Sequence, residues 1–160
     1  MTNQDERLAH FYAAHVAQAT RLAFLLTGDR HVAQDVAQDA FVRVGSKLSG
    51  LRHPDRAAGY LLRTVANLSK DHMRRMRRER ERIVAPEVVG GEIGNPLRDE
   101  VLAALVKLPP RQRLVVFLRY YLDMSEAQAA QTVGCSTSAV KSLTNRAIVS
   151  LRGILEGGRS

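Results

Sequence analysis

Residues 125–151 read SEAQAAQTVGCSTSAVKSLTNRAIVSL, and this stretch has the pattern of a helix-turn-helix. Ser125 can cap a first short helix, and Gln128, three positions later, completes a capping box. Gly134 supplies the backbone freedom that the turn between the helices requires. Ser136 can then cap a second helix. A helix-turn-helix inserts its second helix into the major groove, so the stretch predicts duplex DNA as a partner.

The second helix of this motif carries an apolar stripe and a polar face. We expect Val140, Leu143 and Ala147 to form the buried stripe. The positions between them combine short hydrogen-bonding side chains with long cations, the residue types that contact base edges and phosphates. The predicted DNA-binding residues of this helix are Thr137, Ser138, Lys141, Ser142, Asn145 and Arg146.

The composition of the chain limits the classes of partner and site. Its 160 residues, 45% of them hydrophobic, suffice for one ordinary domain or two small ones. Lys and Arg number 24 against 16 Asp and Glu, and the net charge of +8 favours a polyanionic partner. The single cysteine, Cys135, excludes an internal disulfide framework and fits a reducing cytoplasm. The five histidines are scattered, so we predict no metal site and no cofactor.

The hydrophobic pattern along the chain is helical throughout, and no run alternates at the period of a strand. One helical run is predicted to end at Gly28, with Asp29 capping the next. Pro54 is typical of a helix start, and the long helix that follows ends in a strongly basic tail. Apolar runs are too short to cross a bilayer, so no membrane insertion is expected.

The segment IVAPEVVGGEIGNP, which begins at Ile83, interrupts the helical pattern. It is rich in glycine and proline and carries two glutamates without a cation, as an interdomain linker does. Beyond it, Leu108-Pro109-Pro110 forces a further break before a helix over Arg111–Leu122. We therefore predict an all-α fold of two small helical domains, residues 5–82 and 97–155, joined by a flexible linker over residues 83–96.

Three segments, in this order, resemble the extracytoplasmic-function sigma factors of bacterial RNA polymerase. The segment DVAQDAFVRV resembles the acidic amphipathic helix of the first sigma domain. The segment YLLRTVANLSKDHMRRMRRER resembles the basic DNA-melting helix of that domain. The second domain resembles LPPRQRLVVFLRYYLDMSEAQAAQTVGCSTSAVKSLTNRA. The resemblance implies a cytoplasmic protein, not an enzyme, that binds core RNA polymerase, directs it to promoter DNA and helps to melt that DNA.

The resemblance also implies two further groups of site residues. Those that dock on core polymerase correspond to Asp35, Gln38, Asp39 and Phe41. Asp35 and Asp39 lie one helical turn apart and present one acidic edge. The alternative interpretation is a solvated helix face with Phe41 in the core. Those that handle the −10 element and capture a flipped base correspond to His53, Arg56, Asn67, Lys70, Asp71, Arg74 and Arg75.

Some interpretations stay open at this level. At Leu143, Thr144 and Asn145 the chain departs from the usual family residues, and the departure shifts one apolar position of the helix that would contact the −35 element. The linker corresponds to a segment that threads toward the polymerase active site, with a plain tether as the alternative. Arg111 and Arg113 are interpreted either as phosphate or polymerase contacts or as ordinary surface charge.

Two other functions compete with the sigma factor interpretation. A stand-alone DNA-binding regulator would use only the helix-turn-helix, and a basic helical interaction module would present the face from Leu61 to Arg78 to an acidic protein or membrane surface. An anti-sigma factor is a further partner that the family allows. No obligate homo-oligomer is expected, because both predicted domains would contact the promoter and a single helix-turn-helix would then suffice.

Overall fold

The computed structural model describes residues 3–48, 54–80 and 96–157, and within these ranges the chain forms helices and turns without a strand. The predicted all-α fold is confirmed. The chain divides into two compact units, Met1–Pro86 and Glu87–Ser160. His53 and residues 83–95 of the predicted linker lie outside the described ranges. No helix in those ranges combines the length and apolar character that a membrane span requires.

Within residues 3–48 and 54–80, the first unit forms three helices that pack against one another: α1 (Asn3–Thr27), α2 (Arg30–Gly45) and α3 (Pro54–Arg80). Gly28 ends α1 at a positive φ of 74°, a conformation that glycine adopts without strain. Asp29 then caps α2, since its Oδ1 accepts hydrogen bonds from the backbone N–H groups of His31 and Val32. The core of this unit includes the fully buried side chains of Leu22, Val44, Leu61 and Val65.

The second unit contains α4 (Pro96–Leu105), α5 (Pro110–Val116), a π-helical segment (Phe117–Tyr121), α6 (Glu126–Val133) and α7 (Thr137–Gly157). The predicted break at Leu108-Pro109-Pro110 is confirmed, because α5 begins at Pro110. Helices α4, α5 and α6 each pack against α7. The fully buried side chains of this unit include Leu108, Val115, Leu118 and Val140.

The helix predicted over Arg111–Leu122 differs from the observed one in its last turn. That turn widens into a π-helix, in which the Leu122 N–H donates to the Phe117 carbonyl five positions earlier at 3.1 Å. The Phe117 and Tyr121 rings stack on this turn with centroids 4.8 Å apart. Arg119 reaches past the turn to donate to the Met124 carbonyl, which fixes the chain on its way into α6.

Candidate nucleic-acid and partner interfaces

The first helix of the predicted helix-turn-helix begins with the expected capping box. The Gln128 N–H donates to Ser125 Oγ at 3.1 Å, and the Ser125 N–H donates to Gln128 Oε1 at 2.9 Å. Two backbone donors at the start of α6 are thereby satisfied by side chains of the same segment. The start of α6 is thus determined by local chemistry, as the sequence predicted.

The turn between α6 and α7 also agrees with the prediction. Gly134 has φ 81° and ψ 38°, the left-handed conformation that commonly ends a helix. The N–H groups of Gly134 and Cys135 both donate to the Ala130 carbonyl, at 2.8 and 3.1 Å. Ser136 Oγ then accepts from the Ala139 N–H at 3.1 Å and caps α7.

The buried stripe of α7 differs from the predicted one at a single position. Val140 and Ala147 are fully buried, but Leu143 is only half-buried and Thr144 takes the buried position. The Thr144 hydroxyl donates to the Val140 carbonyl at 2.7 Å, so a polar side chain is accommodated there without an unsatisfied group. The prediction for Leu143 was therefore wrong.

The polar face of α7 presents all the predicted DNA-binding side chains to solvent. At about 100° per residue, these six positions fall within about half of the helix circumference, opposite the buried stripe. The exposed residues are Thr137, Ser138, Lys141, Ser142, Asn145 and Arg146. We call this set the reading face. Lys141 Nζ lies 4.0 Å from Oε2 of Glu126, at the start of α6.

Helix α2 of the first unit carries a second exposed surface. Asp35, Gln38 and Asp39 are exposed and lie within about a third of the helix circumference. Asp39 Oδ1 pairs with Arg43 Nε at 3.4 Å, an exposed contact one turn along the helix. Val42 is 71% exposed and continues the same line of positions. We call Asp35, Gln38, Asp39 and Val42 the acidic stripe.

Phe41 points away from the acidic stripe. Its ring is buried, with centroids 5.9 Å from that of Phe11 and 4.8 Å from that of Tyr12. The interpretation of Phe41 as a core residue is the one that the structure supports. Val42 was missed, although its spacing of three and seven residues from Asp39 and Asp35 is the signal that identifies it.

An open cleft of about 410 Å³ lies between the C-terminal end of α2 and the exposed side of α3. Lys47 Nζ donates to Tyr60 Oη across it at 2.7 Å. Of the predicted residues, Asn67 and Asp71 line the cleft and Arg56 does not. The other lining residues are Arg43, Ser46, Lys47, Tyr60, Thr64 and Leu68. Arg43, Ser46, Lys47 and Thr64 were not predicted, because their place in the cleft depends on how α2 meets α3.

The remaining predicted residues of α3 are exposed cations beside that cleft. At helical spacing, Lys70 and Arg74 follow Asn67 along one line of α3, and Arg75 lies next to it. Arg63 is exposed on the same line and was not predicted. The cleft is thus continued by a row of cations along α3.

The two arginines beside the Pro-Pro break have different environments. Arg111 is exposed, whereas Arg113 is half-buried and its Nε donates to the Leu108 carbonyl at 2.8 Å. Burial lowers the pKa of the Arg113 guanidinium from its ordinary value. Arg113 therefore stabilises the turn between α4 and α5 through a hydrogen bond inside the second unit.

Comparisons with known proteins match both units. The model of "Sigma-70 region 2" matches residues 11–79, and that of "Sigma-70, region 4" matches residues 98–151. The chain is 31% identical over 141 residues to the RNA polymerase sigma-E factor of Streptomyces avermitilis, covering 85% of this chain and 78% of that protein. It is 31% identical over 151 residues to the ECF RNA polymerase sigma factor SigE of Mycolicibacterium smegmatis, covering 88% of this chain. The chain spans 58% of the length of that relative.

Solved structures support the same fold. The sigma factor RpoE of Bartonella quintana, solved in complex with the anti-sigma factor NepR, superposes with a TM-score of 0.82. The superposition covers 94% of this chain and 98% of that chain at 22% identity.

Proposed function

This chain belongs to the extracytoplasmic-function sigma factors of the sigma-70 family, and we propose that it binds core RNA polymerase and directs it to promoters. The observation that carries this proposal is the reading face of α7, where all six predicted DNA-binding side chains are exposed. We propose that residues 97–155 form the domain that contacts the −35 element. Lys141 and Arg146 bind phosphates there, and the shorter polar side chains contact base edges in the major groove.

The first unit, over residues 5–82, contacts the −10 element in this proposal. Separation of the strands takes bases out of the stack, and new hydrogen bonds and an aromatic face stabilise an unstacked base. The cleft between α2 and α3 offers the Asn67 amide, the Asp71 carboxylate and the Tyr60 ring. Lys70, Arg74 and Arg75 beside it bind the phosphates of the same strand.

The acidic stripe of α2 is the docking site for core polymerase. Carboxylates of Asp35 and Asp39 attract basic partner side chains, and the exposed Val42 supplies an apolar contact beside them. The protein contributes binding and positioning in the cytoplasm, while the polymerase carries out the chemistry. Residues 83–96 connect the two domains, and an anti-sigma factor that covers one of these surfaces blocks initiation.

Transcription in vitro with purified core polymerase tests the proposal. We expect the full chain to bind core and to start transcription at a subset of genomic promoters. DNA binding without core binding would support a stand-alone regulator instead, and binding to acidic vesicles alone would support an interaction module.

A paired substitution separates docking from DNA binding. Asp35→Asn with Asp39→Asn is expected to weaken core binding about ten-fold or more while leaving duplex DNA affinity unchanged. The matched control is Glu100→Gln with Glu156→Gln, which removes two exposed carboxylates from the second unit. Equal loss of core affinity in both variants would mean that net charge, not the acidic stripe, determines docking.

A further inference from the structure

One cation of the reading face already has a partner of opposite charge within the same unit. Lys141 Nζ lies 4.0 Å from Glu126 Oε2, and the two side chains remain 65% and 33% exposed. Glu126 Oε2 itself is shielded from solvent and accepts no hydrogen bond from the described residues. The carboxylate therefore faces Lys141 as its cation, on the side of the unit that the proposed function assigns to DNA.

Glu126 also occupies the first turn of α6. The start of a helix carries a partial positive charge from its free N–H groups and attracts anions, including DNA phosphates. A carboxylate at this position offsets that charge and repels an approaching phosphate. Glu126 thus acts against phosphate binding both through the helix terminus and through Lys141.

We propose that Glu126 competes with the DNA backbone for Lys141 and so lowers the affinity of the helix-turn-helix for duplex DNA of any sequence. This inference rests on the proposed function, because it concerns the same reading face. Phosphate contacts raise affinity without reading sequence, so an internal competitor for one of them reduces non-specific binding. Contacts from Ser142 or Asn145 to base edges do not depend on whether Lys141 pairs with Glu126 or with a phosphate.

The size of the effect follows from the exposure of the pair. Exposed ion pairs contribute little, so releasing Lys141 from Glu126 is expected to change affinity about two- to five-fold. Lys141 freed from its partner neutralises a DNA phosphate when the chain binds and releases the counterion condensed there. The logarithmic salt dependence of binding therefore steepens by up to about one unit in the absence of Glu126.

The test uses the full chain and a fluorescent DNA duplex of random sequence, titrated at several salt concentrations. We expect Glu126→Gln to bind about two- to five-fold more tightly than the unsubstituted chain and with a steeper salt dependence. Glutamine has nearly the same shape as glutamate and leaves the Ser125–Gln128 capping box intact. The control Glu156→Gln makes the same change of charge at an exposed site near the end of α7.

A second background distinguishes competition for Lys141 from plain repulsion of DNA. On Lys141→Ala, the additional Glu126→Gln change is expected to add less than half of its gain on the original chain. A full gain on that background, or equal gains from Glu126→Gln and Glu156→Gln, would overturn the inference. If the original chain binds duplex DNA with the usual salt dependence and Glu126→Gln changes nothing, the inference about Glu126 is overturned and the proposed function is not. If neither the original chain nor its complex with core polymerase binds duplex DNA, the proposed function is overturned as well.

Discussion

Gln38 Nε2 donates a hydrogen bond to Tyr12 Oη at 2.7 Å, and this bond ties the acidic stripe of α2 to α1. The Tyr12 ring packs on Phe41 with its centroid 4.8 Å away, yet Tyr12 keeps 37% of its surface exposed. A residue of α1 thus extends the surface that the stripe presents, and the buried Phe41 supports it from the core. On α2, Gln38 therefore belongs to the exposed surface, whereas Phe41 belongs to the core that supports it.

Val42 and Phe41 are expected to separate binding from folding. Val42→Glu puts a charge where we propose an apolar contact, so affinity for core polymerase should fall about ten-fold with little change in Tm. Phe41→Ala leaves a cavity in the core and should cost about 3–5 kcal/mol of stability. Competition binding to core and thermal melting measure the two effects.

The control for Val42→Glu is Val149→Glu, because both valines are 71% exposed and they lie in different units. If Val149→Glu weakens core binding as much as Val42→Glu does, the contact is not specific to the acidic stripe. A lowered Tm for Val42→Glu would instead assign Val42 to the fold.

Gly134 and Gly153 are expected to respond in opposite directions to the same substitution. Gly134 has φ 81°, so Gly134→Ala should destabilise the second unit by about 1–2 kcal/mol. Gly153 lies inside α7, and an added Cβ would meet nothing within 4 Å, so Gly153→Ala should stabilise by about 0.5–1 kcal/mol. Urea unfolding followed by circular dichroism measures both, and equal effects would contradict the role of the turn.

The parts of this structure that sequence predicted are those determined by neighbouring residues. Ser125 and Gln128 cap each other, and Gly134 takes its own backbone conformation, whatever packs around them. Which side of a helix is buried is harder to predict. Each residue is rotated by about 100° from the one before it, so a shift of one position changes which residues face the core. The buried stripe of α7 was predicted from its apolar residues alone, so Leu143 was assigned to it although Thr144 is the buried residue.

The cleft illustrates the same limit at a larger scale. The resemblance of one helix to its family counterpart implied Asn67 and Asp71, but Lys47 joins them only because α2 ends beside Tyr60 of α3. Contacts between elements that are distant in sequence depend on how the three helices pack together. A hydrophobic pattern shows that a helix has a buried side but does not show which neighbour covers it.

Arg146→Ala is expected to weaken duplex binding for all sequences alike. Arg146 is exposed on the reading face, and losing one phosphate contact should reduce the logarithmic salt dependence by about 0.9. Titration of the full chain with duplex DNA at several salt concentrations measures this slope. Arg7→Ala, which removes an exposed cation from α1, is the control for net charge. An unchanged slope for Arg146→Ala would mean that this side chain lies away from the phosphates.

Asn67→Ala is expected to impair promoter melting and to leave initial promoter binding unchanged. The Asn67 amide lines the cleft and has a donor and an acceptor for an unstacked base, so its loss removes hydrogen bonds that exist only after the strands separate. One such bond is worth about 0.5–1.5 kcal/mol, which corresponds to a fall of about two- to ten-fold in the equilibrium constant for promoter opening. A fluorescent adenine analogue within the −10 element reports melting in the polymerase complex. Asn145→Ala makes the same chemical change on the reading face and should weaken binding but not the melting of bound promoter. Normal melting by Asn67→Ala would contradict the proposed hydrogen bonds between Asn67 and an unstacked base.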